Sequence, residues 1–219
     1  MIDLHTHTVL SDGELLPFEL VRRAVAIGYR AIAVTDHVDA SNIDLVVPRI
    51  AKALKRLKSS IPIEAIPGAE ITHAPPALIG ELVKEARELG AAIVVVHGET
   101  LAEPVLEGTN LAAIEAGADI LAHPGLITDD EARLARERSV VLEITSRKGH
   151  SISNGHVAKT AIRHGVRMTI DTDSHSPSDL ITRERAISIL MGAGLDAEQI
   201  PVVFDNARQL TETALRRMK

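Results

Sequence analysis

The sequence contains no cysteine and no tryptophan, and only 1% of its residues are aromatic. Without cysteine the chain has neither disulfide bonds nor thiolate ligands, so imidazole nitrogen and oxygen are the donors left for any metal ion. The aromatic residues are Phe18, Tyr29 and Phe204, too few for a platform on which single-stranded bases stack. The composition therefore disfavours recognition of unpaired bases and leaves a histidine and carboxylate metal site open.

Excess positive charge is also missing, since 24 Lys and Arg stand against 30 Asp and Glu, for a formal net charge of -6. A general nucleic-acid surface needs a basic footprint, so we do not expect a nucleic-acid partner, although a local basic pocket is compatible with this charge. No apolar stretch approaches the ~20 residues of a membrane span. The first five residues, MIDLH, do not resemble a leader peptide. We expect no membrane partner and, by default, a cytoplasmic location.

At 219 residues and 45% hydrophobic composition, the chain is long enough to bury one sizeable core, which predicts a single domain over residues 1–219. Short β-branched runs alternate with segments of helical period, the pattern of parallel strands joined by crossover helices. Four glycines close helical segments just before strands: Gly28, Gly90, Gly117 and Gly165. The predicted strands are Ile2–Thr8, Ala31–Thr35, Ile63–Ile71, Ala92–His97, Asp119–His123, Val140–Thr145 and Val166–Asp171. Seven strands favour an α/β barrel slightly smaller than the usual eight, with an open doubly wound sheet as the alternative.

Six of the seven predicted strands end in histidines or carboxylates. Because the carboxyl ends of parallel strands share one face, which carries the active site, these side chains should meet there. His5 and His7 are two apart in a strand and project from the same side. One of these residues alone is more simply a structural histidine or a helix cap, but the joint pattern indicates a site. The other clusters are Asp36 with His37, Glu70, His97, His123, and Asp171, Asp173 and His175.

These donor residues are more numerous than the four ligands of one tetrahedral ion, which points to two or three divalent ions sharing carboxylates. Paired ions lower the pKa of a water and stabilise charge on a phosphoryl group, so the set suits hydrolysis of phosphoesters. Two long connections, residues 98–109 and 146–154, follow strands and are candidate substrate loops.

Seven short motifs closely resemble those of the polymerase and histidinol phosphatase (PHP) family, in family order. They are DLHTH at residue 3, SDG at 11, TDH at 35, GAE at 68, His97, AHP at 122 and DSH at 173. The resemblance covers nearly the whole chain. It implies a distorted (β/α)7 barrel, similar to a TIM barrel, that binds up to three zinc, manganese or iron ions and hydrolyses phosphoesters.

The resemblance also implies three sets of metal ligands. The first is His5, His7, Glu70 and Asp173; the second is Glu70, His97 and His123; the third is Asp12, His37 and His175. Glu70 would bridge the first two ions. We take Glu70, Asp173, His37 and Glu143 as candidate catalytic residues, Glu143 in a supporting or substrate-binding role.

Three cations near the predicted face are candidates for holding a phosphate: Arg147, Lys148 and Arg183. The alternative for each is an ordinary solvated cation. His73 is expected to support the metal shell through a hydrogen bond, and His164 is more simply a cation at a helix end. We give a low rank to His150, Asn154 and His156.

Two classes of function remain open at this stage. The favoured one is a metal-dependent phosphomonoesterase, such as a histidinol-phosphate phosphatase, or a nucleotide phosphoesterase, acting on a small phosphorylated substrate. The alternative is a non-catalytic PHP-like barrel that serves as an RNA-binding or scaffold subunit, such as the archaeal ribonuclease P protein subunit. The filled ligand positions and the acidic charge disfavour that alternative. The sequence leaves the oligomeric state and the exact substrate open.

Overall fold

The computed structural model describes residues 1–57 and 60–219. Strands and helices alternate along the chain except where the second and third strands follow each other and where two helices end the chain. The strands are β1 Ile2–Asp3, β2 Ala31–Val34, β3 His37–Val38, β4 Glu64–Ile71, β5 Ile93–His97, β6 Ile120–Ala122, β7 Val141–Thr145 and β8 Met168–Asp171. The helices are α1 Pro17–Ala26, α2 Ile43–Leu57, α3 Pro76–Glu88, α4 Thr109–Glu115, α5 Asp129–Arg138, α6 Asn154–His164, α7 Arg183–Gly192 and α8 Gln199–Arg217.

All strand pairs are parallel, and seven strands follow each other around a nearly closed barrel in the order β1-β2-β4-β5-β6-β7-β8. The short β3 pairs with the end of β4, so that His37 lies opposite Glu70. This arrangement confirms the predicted α/β barrel of seven main strands. Strand β4 pairs with β2 over residues 64–67 and with β3 at Glu70 and Ile71.

The seam between β1 and β8 is closed mainly by side chains and single backbone contacts. Asp3 accepts hydrogen bonds from the N–H and hydroxyl of Thr172, at 3.1 and 2.6 Å. In return Asp171 accepts the N–H of Leu4 at 2.6 Å. One bridge, between Thr6 and Ser174, continues the seam. Because side chains replace the ladder here, β1 is shorter than the predicted strand over residues 2–8.

Two apolar layers hold the barrel together. The larger layer lies between the sheet and the helices, and α2 shows why its sequence forms a helix. Its buried residues recur at three- and four-residue spacing, and they are Ile43, Val46, Val47, Ile50, Leu54 and Leu57. The smaller layer fills the barrel interior, where Leu210 and two alanines of α8 join strand residues such as Ile66 and Val95. Helix α8 therefore closes the amino end of the barrel and leaves the carboxyl end for a site.

Local signals end the helices where the sequence predicts. The glycines at 28, 90, 117 and 165 all have positive φ, as a glycine that terminates a helix does. Thr128 begins α5 with a reciprocal capping box to Glu131. Within the described residues, no helix has both the length and the apolar character of a membrane span.

Candidate metal centre

The histidines and carboxylates predicted from separate strand ends gather at the carboxyl end of the barrel. A cavity of about 230 Å³ opens onto them. Six of the predicted ligands are buried, namely His5, His7, Glu70, His97, His123 and Asp173. Asp12, His37 and His175 lie nearer the surface. The structure therefore brings all nine predicted metal ligands into one region.

The first predicted ligand set forms a tight group of two imidazoles and two carboxylates. His5 Nε2 lies 3.3 Å from Glu70 Oε2, and His7 Nε2 lies 3.0 Å from Asp173 Oδ1. The crossed pairs, His5 with Asp173 and His7 with Glu70, are 3.7 and 3.6 Å apart. Four donors thus surround one small volume.

These short distances are not hydrogen bonds. His5 Nε2, His7 Nε2, Glu70 Oε2 and Asp173 Oδ1 are all buried and have no hydrogen-bond partner among the described residues. An unpaired buried polar atom costs about 1–3 kcal/mol, so four together need a common partner. Tetrahedral metal ligands at their usual bond lengths lie about 3.3–3.5 Å from each other. The residues therefore fit a divalent cation.

The second predicted set meets the first at Glu70. His97 Nδ1 lies 3.2 Å from Glu70 Oε1, and His123 Nε2 lies 3.9 Å from the same oxygen. Neither ring nitrogen of His123 has a hydrogen-bond partner within the described part of the chain. Since the other oxygen of Glu70 faces His5, the carboxylate lies between the two groups. This is the geometry that a bridging carboxylate requires.

The third predicted set lies on the rim. Asp12 Oδ1 is 3.5 Å from His37 Nε2 and 3.2 Å from His175 Nε2. Asp12 is placed by a turn whose anchor is Asp36, which accepts hydrogen bonds from Thr8 and Ser11. With more than half of the Asp12 side chain exposed, this group is open to solvent.

The pKa values of His7, His123 and Glu70 suit cation binding. Burial lowers the pKa of His7 and of His123 well below the ordinary histidine value, so both imidazoles are neutral and keep a lone pair. Burial raises the pKa of Glu70, but His5 and His37 outweigh it and hold the pKa well below the usual range. Neutral nitrogens and an ionised carboxylate are the forms that bind metal.

Two of the ligand positions have strained backbone. His123 and Asp173 have φ values of 30° and 52°, a backbone region that residues other than glycine rarely adopt. Such residues cost of order 1–3 kcal/mol each and cluster at functional sites. Here the conformation turns both side chains at the strand ends toward the cluster.

Comparison with known proteins identifies the family. The model of the PHP domain matches residues 3–146. The chain belongs to the PHP family. It is 50% identical over 200 residues to the uncharacterized protein MJ1295 of Methanocaldococcus jannaschii, a match covering 90% of this chain and 92% of the relative.

Two further matches extend this comparison. The chain is 27% identical over 225 residues to a protein named "Probable phosphatase" from Shewanella frigidimarina, covering 91% of this chain and 88% of the relative. Among solved structures, A. niger ochratoxinase aligns with a TM-score of 0.62 and 13% identity, over 96% of this chain and 71% of that one. The structural likeness at this identity concerns the fold alone.

In this PHP chain Glu143 supports a predicted ligand from behind. Its Oε2 lies 2.6 Å from His5 Nδ1, and both side chains are fully buried. A hydrogen bond from Nδ1 to this carboxylate leaves Nε2 of His5 facing Glu70 and Asp173. Carboxylates in this position fix the tautomer and orientation of metal-binding histidines.

Two of the three predicted phosphate-binding cations lie near the PHP cluster. Arg147 lines the cavity, with Nε 3.9 Å from Asp173 Oδ2 and Nη1 3.4 Å from Asp179 Oδ2. Lys148 is exposed and lines an adjoining groove of about 550 Å³, together with Arg147 and Arg185. The sequence analysis did not select Arg185.

The structure does not bring Arg183 to this site. The connection after β8 runs back along the barrel, and the carbonyl of Ile181 accepts a hydrogen bond from the Tyr29 hydroxyl at 2.8 Å. Arg183 then stacks on the ring of Phe204, 3.9 Å from its centroid. It borders a separate cavity at the amino end, beside Met1. Its sequence position after β8 could not reveal this reversal.

The structure also adds residues to the mouth of the cavity. Glu103, in the connection after β5, lies within 3.4 Å of a nitrogen of His73, His97 and His150. His150, which ranked low, is buried, and its ring stacks on that of His123 with centroids 4.2 Å apart. The sequence marked the connection as a candidate loop but had no signal that singled out Glu103 among its acids.

The other low-ranked residues lie in structural contacts. The side-chain amide of Asn154 accepts a hydrogen bond from the N–H of Thr145 and donates one to the carbonyl of Thr145. His156 Nε2 lies 2.8 Å from the carbonyl of Ile127. His164, near the end of α6, bonds Asp129 at 2.8 Å.

Proposed function

We propose that this PHP chain is a metal-dependent phosphoesterase that hydrolyses small phosphomonoesters. The observation that carries the proposal is the pair of buried donor groups that share Glu70, with unpaired nitrogens and oxygens at ligand spacing. The relative named "Probable phosphatase" supports the same chemistry.

The ions would be held by the three ligand sets described above. When bound, divalent ions at these positions supply a water of lowered pKa and stabilise the charge that develops on the phosphoryl oxygens. The residues of the chain provide the rest. Glu143 keeps the Nδ1 proton of His5 in place, and burial of the six inner ligands excludes bulk water, which strengthens every charge interaction in the site.

Arg147 is the proposed phosphate clamp. Its guanidinium lies at the edge of the cavity beside Asp173, half-buried and therefore less mobile than a surface side chain. A guanidinium fork matches two phosphate oxygens. Lys148 and Arg185 continue this positive charge into the adjoining groove, where the alcohol part of the substrate would lie.

The lining of the groove favours phosphates of non-aromatic alcohols over nucleotides. Within the described residues neither the cavity nor the groove is lined by phenylalanine or tyrosine. A nucleotide base would therefore have no phenyl or phenol ring on which to stack. Sugar phosphates are the candidates that we place first; histidinol phosphate, which carries an imidazole ring, and nucleotides are the alternatives.

A screen with matched variants tests the proposal. The purified protein, loaded with zinc or manganese, is assayed for phosphate release from p-nitrophenyl phosphate, histidinol phosphate, sugar phosphates and nucleoside monophosphates. We expect turnover that a chelator abolishes and added metal restores. Glu70→Gln should lose both metal and activity, while His164→Gln should keep both. A metal-loaded protein that releases phosphate from none of these substrates would refute the proposal.

A further inference from the structure

A large cavity lies at the amino end of the barrel, opposite the metal centre. Its volume is about 640 Å³, against about 230 Å³ for the cavity at the metal centre. Four segments border it, since Ile2 lies in β1, Ile27 follows α1, Arg183 begins α7 and Phe204 lies in α8. Sites for small molecules have volumes of about 300–1,000 Å³, so this cavity is large enough for a ligand.

Arg183 is held in this cavity with its hydrogen-bond donors free. The carbon of its guanidinium lies 3.9 Å from the centroid of the Phe204 ring. This contact is a cation–π interaction, which uses none of the five N–H donors of the guanidinium. Within the described residues no carboxylate pairs with Arg183. The ring therefore fixes the cation without neutralising it, and its fork of donors is available to an anion.

Arg30 supplies a second cation to the same space. Its backbone is fixed on both sides, because its N–H donates to the carbonyl of Met1 at 2.8 Å and its carbonyl accepts the N–H of Glu64 at 3.1 Å. Burial lowers the pKa of the Met1 amino group, and repulsion from Arg183 and then from Arg30 lowers this pKa further. Both guanidiniums therefore act on one point in the cavity.

The acids near the cavity do not balance this charge. Arg208, the third arginine of the lining, is paired with Asp205 and Glu212 on its own helix. Glu184 is the one acid among the described lining residues, and it pairs with neither of the other two arginines. The cavity is therefore positive on a chain whose formal net charge is -6.

The wall beside the arginines is apolar and includes Met1, Ile2 and Ile27. Two guanidiniums match a phosphate better than a carboxylate, since a phosphate group offers three oxygens and up to about two negative charges. An apolar group attached to that phosphate would leave water on contact with the isoleucines. The lining therefore suits a phosphorylated organic molecule better than inorganic phosphate.

We propose that the amino end of the barrel binds an organic phosphate, held by Arg30 and Arg183 with its apolar part against Ile2 and Ile27. The cavity shares no lining residue with the metal centre or with the groove beside Arg147. A ligand can therefore occupy it while the metal centre is also occupied. This site does not rest on the proposed phosphoesterase activity.

Methyl NMR with a non-hydrolysable probe tests the site. Phenylphosphonate carries a phosphate-like anion on an apolar ring and has no ester bond to cleave. The zinc-loaded protein, labelled at its isoleucine methyl groups, is titrated with this probe. Ile2 and Ile27 report on the amino-end cavity, whereas Ile181 and Ile189 report on the groove beside Arg147. We expect the signals of Ile2 and Ile27 to shift and saturate, and methylphosphonate, which lacks the ring, to bind there more weakly.

Matched variants assign the binding to the two arginines. Arg30→Ala and Arg183→Ala should each raise the dissociation constant read from Ile2 and Ile27 by about 10-fold or more. Both variants should leave the constant read from the groove unchanged. Arg22→Ala, exposed on α1 and outside the cavity lining, is the control and should change neither constant.

Signals of Ile2 and Ile27 that do not respond to phenylphosphonate would overturn the proposal, whatever happens in the groove. So would equal dissociation constants in wild type and both variants. Because Arg30 is exposed, its truncation should leave the fold intact, and circular dichroism checks each variant. Binding at the amino end without binding in the groove would support this site and count against the phosphoesterase proposal alone.

Discussion

Glu143 offers the sharpest test of how the buried network prepares a metal ligand. Its carboxylate lies 2.6 Å from His5 Nδ1, and both groups are fully buried. Glu143→Gln keeps the volume of the side chain, so it creates no cavity, but it removes the charge that holds the Nδ1 proton. The amide oxygen can still accept the Nδ1–H hydrogen bond, but without the negative charge the imidazole loses part of its basicity as a ligand.

The magnitude follows from the kind of contact that is lost. Removing such a supporting partner typically weakens metal affinity about 10–100-fold, which corresponds to about 1.4–2.8 kcal/mol. A hydrogen bond to a charged group contributes about 1.5–3 kcal/mol, so the two estimates agree. We therefore expect the dissociation constant of the tightest zinc ion to rise by one to two orders of magnitude.

Competition with a chromophoric chelator measures this dissociation constant directly. Glu137→Gln is the control, because Glu137 lies exposed on α5 and should leave the constant unchanged. An unchanged zinc affinity in Glu143→Gln would refute the supporting role. If the Michaelis constant rose instead, Glu143 would be a substrate-binding residue.

Three further predictions concern substrate binding and stability. Arg147→Ala should raise the Michaelis constant for p-nitrophenyl phosphate by ~10-fold or more with little change in kcat; steady-state kinetics would contradict the clamp if neither moved. Asp3→Ala should lower the free energy of unfolding by about 2–4 kcal/mol, since the buried N–H and hydroxyl of Thr172 lose their acceptor across the β1–β8 seam. Urea denaturation measures this, and an unchanged midpoint would show that the seam is not stabilising. Gly125→Ala should destabilise the fold by about 2 kcal/mol or more, because φ is +60° and a Cβ would overlap a backbone carbonyl. Gly80→Ala, in open space on α3, should instead stabilise the fold by roughly 0.5–1 kcal/mol. Thermal unfolding measures both variants, and melting temperatures that shift in the same direction would contradict this account.

The barrel was predictable because its signals are local and periodic. Apolar runs such as the one before His97 indicate buried parallel strands, and the glycines that close helices mark where the next strand begins. Parallel strands place their carboxyl ends on one face whatever the detailed packing. For that reason residues as far apart as His5 and Asp173 were expected together, and they lie 3.7 Å apart.

The bounds of β1 and the extra strand β3 were not predictable in the same way. Side chains of Asp3 and Asp171 replace the ladder at the seam, and β3 has only two residues. Both depend on how distant segments meet, which no local pattern of hydrophobic residues reports.

What the sequence determined by itself is the series of strands and the polar residues at their ends, because periodicity and chain order fix which side chains reach the carboxyl face. What the tertiary structure alone decided is the path of the connections. It carried Arg183 to the amino end, against Phe204, and brought Glu103 from the middle of a long connection onto His97. Connections have no periodic constraint, so their direction is set by contacts with residues far away in the chain.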